Sequence, residues 1–125
     1  GSVKTITGYK SYVSIDGGMG DNPRYALYKA DYEIVCANKA NEERTETVTV
    51  AGKCCESGDL IQENTKLQPV KAGDILAVLS TGAYNYSMAS NYNKVARPAA
   101  VMVKDGEARV IIKRESYEDM MKNDI

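Results

Sequence analysis

Short apolar runs separated by turn signals constrain the fold of this chain more than any other feature of its sequence. The clearest pair lies at residues 98–103 and 108–112, because Asp105-Gly106 between them is a favoured two-residue turn of β-hairpins. Four further segments have the apolar or β-branched character of strands: residues 11–15, 31–38, 45–50 and 75–79. Since the strands are short and helical segments are few, the sequence predicts a mainly β fold, a Greek-key-like β-barrel with a few short helices.

The segments between these strands are polar, with local concentrations of glycine, proline and asparagine. A helix of one or two turns is predicted at residues 23–28 with Asn22 as its cap, and another short helix at residues 115–122. Residues 59–69 are mostly polar and are predicted to form a loop. Residues 80–93 are too polar for a core and too poor in charge for an ordinary solvated face, so we expect a ligand-contacting loop or a short helical turn.

The composition excludes several classes of function. The chain has 125 residues, enough for one domain, and its 16 basic and 17 acidic side chains give a net charge of −1. It therefore lacks the basic field of a nucleic-acid-binding protein, and no nucleic-acid partner is predicted. No apolar run approaches the roughly 20 residues of a membrane-spanning helix, so no membrane partner is predicted either. The lack of histidine removes Ser-His-Asp and Cys-His pairs within the chain, and no metal site is predicted.

The three cysteines differ in their surroundings. They are too few for a four-thiolate zinc site, and the adjacent Cys54 and Cys55 are poorly suited to bridge each other. Without an export signal, we expect reduced thiols and a cytoplasmic location. Cys36 lies in an apolar run and is predicted to be an inert core residue, whereas Cys55 precedes the polar residues 56–59 and is predicted to be accessible.

Two small constellations could carry chemistry. Cys55 beside Glu56 could supply a thiol acid and a carboxylate anchor, although an ordinary surface turn would have the same composition. Arg24 and Tyr28 are four residues apart, so on a helix they share a face that would suit a carboxylate. A solvated arginine and a core tyrosine would give the same spacing.

Three segments in this order resemble the C-terminal domain of the diaminopimelate decarboxylase family. They are YVSIDGGMGDNPRYALY at residues 12–28, VAGKCCESGD at residues 50–59 and STGAYNYSMASNYN at residues 80–93. A fourth string, RPAAVMVKDGEARVIIKRESYEDM at residues 97–120, resembles the end of the same family. The resemblance covers nearly the whole chain.

The resemblance implies a pyridoxal 5'-phosphate enzyme of the alanine-racemase-like fold type. Such enzymes have an N-terminal (β/α)8 barrel, which holds the cofactor-binding lysine, and a C-terminal β-barrel. Residues 3–125 would be that C-terminal domain, residues 1–2 an expression-tag remnant, and the (β/α)8 barrel would be absent from this chain. The family also implies a homodimer with a shared active site, and an open sheet edge in the isolated domain.

The resemblance implies a role for each matching site residue. Cys55 would be the catalytic acid that reaches into the active site of the partner subunit, and Glu56 would bind the ammonium at the far end of the substrate. Arg24 and Tyr28 would bind the carboxylate at that end. Tyr84 would contact the cofactor phosphate or the substrate from within its own subunit.

The implied reaction converts meso-2,6-diaminopimelate to L-lysine and CO2, and the isolated domain would be inactive. Two alternatives stay open at this point. The chain could come from a related decarboxylase that acts on ornithine, arginine or carboxynorspermidine, or it could be a non-catalytic β-barrel binding module. A racemase-type domain would use a tyrosine instead of Cys55, which the string CCESGD argues against.

Overall fold

The computed structural model describes residues 1–82 and 84–125 in full, and its regular structure is mostly sheet. The strands are β1 (Ser2–Thr5), β2 (Ser11–Ser14), β3 (Ile34–Cys36), β4 (Glu46–Ala51), β5 (Leu60–Leu67), β6 (Leu76–Val78), β7 (Ala100–Lys104) and β8 (Glu107–Ile112). The α-helices are α1 (Arg24–Tyr28), α2 (Gly82–Met88) and α3 (Tyr117–Met121), and 3₁₀ turns lie at Ala37–Lys39 and Tyr92–Lys94. The predicted mainly β class with a few short helices is confirmed.

The strands fall into three hydrogen-bonded sheets. The largest has the order β1-β2-β4-β5, in which β2 and β4 are parallel and the other neighbours are antiparallel. β3 pairs with β6, and β7 pairs with β8, both antiparallel. The parallel β2–β4 pair matters for function, because it brings the loop after β2 and the loop after β4 to the same edge of the sheet.

The core lies between the large sheet and the β3–β6 pair. Its buried side chains are Val13, Ile34, Val48, Val50, Ile61 and Leu67. Cys36 on β3 is fully buried, as predicted for an inert core cysteine. Burial of such apolar side chains stabilises the fold by about 1.5–3 kcal/mol each.

The prediction of a loop at residues 59–69 is wrong, because β5 occupies most of that segment and pairs along β4. Gln62, one of the polar residues that suggested a loop, has partners inside the fold. The Gln62 amide donates to Asp31 at 2.5 Å, and its oxygen accepts the Tyr32 N–H at 3.1 Å. A polar side chain whose hydrogen bonds are made within the protein can lie in a strand with little loss of stability. The hydrophobic pattern alone therefore could not detect β5.

A polar cluster on β5 holds α1 in place. The Tyr25 hydroxyl donates to Glu63 at 2.6 Å, and the Lys10 ammonium lies 2.7 Å from the other oxygen of that carboxylate. Burial, followed by the hydrogen bond to Glu63, raises the pKa of Tyr25 to about 12. The hydrogen bond from Lys10 is the main cause that lowers the pKa of Glu63. These contacts fix the orientation of the helix that carries Arg24 and Tyr28.

The C-terminal elements follow the predictions closely. β7 and β8 form the expected hairpin, and Asp105 and Gly106 both have the positive φ that the tight turn requires (52° and 79°). Helix α3 begins with a capping box, in which Ser116 and Asp119 exchange side-chain-to-backbone hydrogen bonds. Among the described residues, no helix is long and apolar enough to span a lipid bilayer.

Candidate active site

Arg24 and Tyr28 lie on one face of α1, as their spacing predicted. The Asn22 side-chain oxygen accepts the Arg24 N–H at 3.2 Å at the start of the helix, and Lys29 ends the helix in a left-handed conformation. The Arg24 guanidinium carbon lies 5.6 Å from the centre of the Tyr28 ring. This distance is within the range of cation–π contacts, so the two side chains support each other's orientation.

Helix α2 brings a second tyrosine to the same guanidinium. The Tyr84 ring centre lies 5.0 Å from the Arg24 guanidinium carbon, and the Met88 sulfur lies 3.9 Å from one of its nitrogens. Among the described residues, no carboxylate lies within ion-pair distance of Arg24. The Tyr28 and Tyr84 side chains are both more than 60% exposed. Arg24 is therefore an accessible, unpaired cation between two phenol rings, an arrangement suited to an incoming carboxylate.

The loop after β4, residues 52–59, carries the cysteine pair. Cys55 is exposed, as predicted, whereas Cys54 is half-buried. Burial, followed by the charge of Asp59, raises the pKa of Cys54, which disfavours its thiolate. Glu56 folds back on its own turn, and its carboxylate accepts the Gly58 N–H at 2.9 Å. Of the two thiols, Cys55 is the more accessible.

Asp59 is a site component that the sequence reading did not single out. Its carboxylate is buried and accepts the Met19 N–H at 2.6 Å and the Cys54 N–H at 2.7 Å. A second link between the same two loops runs from the Lys53 N–H to the Gly17 carbonyl at 3.2 Å. The glycines of both loops were the one sequence signal for this contact. Because glycine has no side chain, it leaves room for the Asp59 carboxylate to approach the backbone of both loops.

The segment after α2 is hydrogen-bonded to the glycine-rich loop, residues 16–23, which lies between β2 and α1. The Ser90 N–H donates to the Gly20 carbonyl at 2.9 Å. Glu115 accepts from the Asn91 amide at 2.5 Å and from the Arg97 backbone N–H at 2.9 Å, which ties the segment to the chain that follows β8. Three segments therefore meet at one end of the domain: the loop before α1, the loop after β4 and the segment after α2.

The predicted site residues form two groups. Tyr28 and Tyr84 both lie within cation–π distance of Arg24, as described above. Cys55 and Glu56 lie on the loop after β4, and within the described part of the chain no hydrogen bond, ion pair or ring contact joins them to the first group. The sequence strings thus correspond to two separate clusters of candidate site residues.

Among the residues that the structure describes, Tyr84 could contact a pyridoxal phosphate cofactor. The Tyr84 hydroxyl has no hydrogen-bond partner among the described residues and is exposed, so it could donate to a phosphate oxygen. In the part of the chain that the structure describes, no group of three or more His, Cys, Asp or Glu side chains could hold a metal ion.

Comparison with known proteins identifies the domain type. Residues 2–82 match the family model described as the C-terminal sheet domain of pyridoxal-dependent decarboxylases. The chain is 54% identical over 125 residues to diaminopimelate decarboxylase from Bacillus subtilis, and 51% identical over 124 residues to that from Synechocystis. These matches cover all or nearly all of this chain, but only 28% and 26% of the lengths of the two relatives.

A solved structure gives the same result. The crystal structure of diaminopimelate decarboxylase from M. jannaschii in co-complex with L-lysine matches with a TM-score of 0.85 and 37% identity, over 98% of this chain and 28% of that one. The chain thus spans little more than a quarter of the length of its relatives. The chain belongs to the pyridoxal-dependent decarboxylase family, as a C-terminal sheet domain of that family.

Proposed function

We propose that this chain is the C-terminal domain of a diaminopimelate decarboxylase, which converts meso-2,6-diaminopimelate to L-lysine and CO2 with pyridoxal 5'-phosphate. Relatives with this name match along the whole chain at about half identity, which supports the proposal. The parent protein would add a (β/α)8 barrel with the cofactor-binding lysine. The 125-residue domain would therefore release no CO2 by itself.

The exposed hairpin supports a larger parent protein. Val101, Val103, Val110 and Ile111 on β7 and β8 are each about half or more exposed. Four large apolar side chains exposed on a single hairpin are uncommon on a protein that functions alone. Further chain of the parent would cover it.

The choice of substrate rests on the Arg24 guanidinium, which has no carboxylate partner among the described residues. The far end of meso-diaminopimelate has both an ammonium and a carboxylate, whereas lysine and ornithine have no carboxylate at the corresponding end when they serve as substrates. Arg24 would bind that carboxylate, with Tyr28 beside it as a phenol donor. A substrate without the carboxylate would leave the guanidinium unpaired in a closed site, which is costly.

Cys55 would supply the proton that completes the reaction. When bound, pyridoxal phosphate supplies an electron sink for the pair of electrons left as the carbon–carboxylate bond breaks. The Cys55 thiol would then transfer its proton to the α-carbon, and the thiolate would recover a proton from water. Glu56, one residue further, would bind the far-end ammonium, and Tyr84 would donate to the cofactor phosphate or the substrate.

The two clusters of side chains support a shared active site. In the proposed homodimer, Arg24, Tyr28 and Tyr84 serve their own subunit, while Cys55 and Glu56 enter the active site of the partner subunit. A free thiol is required at Cys55, which suits the reducing cytoplasm. No nucleic-acid or membrane partner is part of the proposal.

The test is CO2 release by the full-length parent with meso-diaminopimelate, L-lysine and L-ornithine as alternative substrates. We expect turnover of meso-diaminopimelate with a kcat/KM at least about 100-fold above the other two, since an unmatched polar group in the site is strongly rejected. Preferred turnover of lysine or ornithine would retain the family and refute the substrate. A reading frame with no barrel before this domain would refute the enzyme.

A further inference from the structure

Asp59 combines deep burial with a lack of cationic partners. It is 2% exposed, and among the described residues no lysine or arginine lies within ion-pair distance of it. Its charge is instead satisfied by two backbone N–H groups that belong to different loops, those of Met19 and Cys54. Hydrogen bonds from N–H groups to a carboxylate are among the stronger ones in proteins, so each fixes a loop position.

The main chain of Asp59 also closes the loop on which the cysteines lie. Its carbonyl accepts the Gly52 N–H at 2.8 Å, and its N–H donates to the Glu56 carbonyl at 3.0 Å. Two backbone hydrogen bonds of Asp59 therefore close the turn that contains Cys55 and Glu56.

Two glycines make room for this carboxylate. A Cβ atom at Gly18 would lie 2.8 Å from Asp59 Oδ1, and a Cβ atom at Gly52 would lie 2.2 Å from it. Neither glycine has a positive φ, so its backbone conformation is open to other residues. The requirement for glycine at both positions comes from the close approach of the Asp59 side chain.

We propose that Asp59 is a positioning residue that holds the Cys55–Glu56 turn against the glycine-rich loop, and so fixes the Cys55 thiol for proton transfer. The inference rests on the proposed function, because it needs Cys55 as the acid. Asp59 is buried, and its proposed role involves no contact with the substrate. Misplacement of a reacting group by about 1 Å can cost about 100-fold in rate, so a loop contact of this kind is enough to control turnover.

The experiment measures kcat and KM of the full-length parent with meso-diaminopimelate for Asp59→Asn, Cys55→Ala and the double variant. Asparagine keeps the size of the side chain but turns an N–H₂ group toward one of the two N–H donors. We expect kcat to fall about 10- to 100-fold, and KM to rise as well, because Glu56, which would bind the far-end ammonium, lies on the same turn. In the Cys55→Ala background the same substitution should have no further effect on kcat, because the residue it positions is gone.

A matched pair of glycine variants tests the same contact without changing Asp59. Gly18→Ala places a methyl group against the carboxylate, whereas the nearest atom to a Cβ at Gly20 in the same loop is 3.4 Å away. Gly18→Ala should reproduce the fall in kcat and Gly20→Ala should not. Thermal unfolding and size-exclusion chromatography of each variant ensure that rates are compared for folded dimers.

The outcomes separate this inference from the proposed function. If Cys55→Ala lowers kcat and Asp59→Asn does not, the role of Asp59 is refuted and the function stands. Equal effects of Asp59→Asn with and without Cys55 would make Asp59 a purely structural residue and would also refute the inference. If Cys55→Ala leaves kcat unchanged, Cys55 is not the acid, and the inference about Asp59 is refuted together with that role, whereas turnover of meso-diaminopimelate would still support the decarboxylase.

Discussion

Replacement of Arg24 by glutamine removes a guanidinium that no carboxylate of the described chain pairs with. The side chain lies against Tyr28 and Tyr84, so its loss leaves the far-end carboxylate of the substrate with only a phenol donor. Hydrogen bonds to charged groups contribute about 1.5–3 kcal/mol each. Because both tyrosines are largely exposed, we take about 2–4 kcal/mol for the pair of bonds.

This energy corresponds to a loss of about 30- to 700-fold in kcat/KM for meso-diaminopimelate, at 1.4 kcal/mol for each factor of ten. The assay is CO2 release by the full-length parent, with inhibition by L-lysine and by cadaverine measured in parallel. L-lysine retains the carboxylate that Arg24 would bind, whereas cadaverine has none. The variant should therefore weaken inhibition by L-lysine far more than inhibition by cadaverine.

Arg44→Gln is the matched control, because Arg44 pairs with the exposed Glu33 and has no proposed role in the site. It should leave kcat/KM and both inhibition constants unchanged. Equal loss of L-lysine and cadaverine inhibition in Arg24→Gln would refute the reasoning, since it would show that Arg24 does not bind the carboxylate.

Three further predictions concern the stability of the domain, measured by urea denaturation. The hydrogen bond from Lys10 is the main cause that lowers the pKa of Glu63 from its ordinary value of 4.5. The ionised carboxylate therefore stabilises the folded state above pH 4.5, and this stabilisation is lost as the pH falls through the lower pKa of the folded state. Glu63→Gln should therefore reduce the decline of stability with falling pH below 4.5. Burial and the Glu63 contact raise the pKa of Tyr25 from 10 to about 12. The neutral phenol therefore stabilises the folded state, and this stabilisation is lost as the pH rises between these two values. Tyr25→Phe should reduce that loss. Leu67→Ala should cost about 2–5 kcal/mol, whereas Val103→Ala should change stability by less than about 0.5 kcal/mol.

Each of these predictions has a contrary result. An acid slope in Glu63→Gln as steep as that of the original chain would show that Lys10 does not hold the carboxylate ionised. An unchanged loss of stability at alkaline pH in Tyr25→Phe would show that another group titrates there. Similar costs at Leu67 and Val103 would contradict the burial of β5 and the exposure of β7, since Leu67 is fully buried and Val103 is 69% exposed.

The elements that could be predicted from sequence are those with local causes. The hairpin of β7 and β8 depends on Asp105-Gly106, whose preference for positive φ acts within the turn itself. The shared face of Arg24 and Tyr28 depends only on helical spacing. Strand β5 was missed because its polar residue Gln62 is satisfied by Asp31, a contact between residues distant in sequence.

The same distinction applies to the candidate site. The strings around Cys55 and Tyr84 singled out candidate site residues, but no spacing rule relates Tyr84 to Arg24, which lie sixty residues apart in the chain. The buried Asp59 resembled an ordinary turn residue, because its two donors come from loops that the parallel pairing of β2 and β4 brings together. Such contacts follow from tertiary packing and cannot be read from local pattern.

The central claim is that each subunit supplies Arg24 to one active site and Cys55 to the other. Heterodimers of a full-length Arg24→Gln subunit and a full-length Cys55→Ala subunit, purified with two different affinity tags, test it directly. One of their two sites would contain both original residues, so the heterodimer should release CO2 from meso-diaminopimelate at about half the rate of the original dimer. Activity no higher than that of the two variant homodimers would show that both residues serve the same subunit's site and would contradict the account.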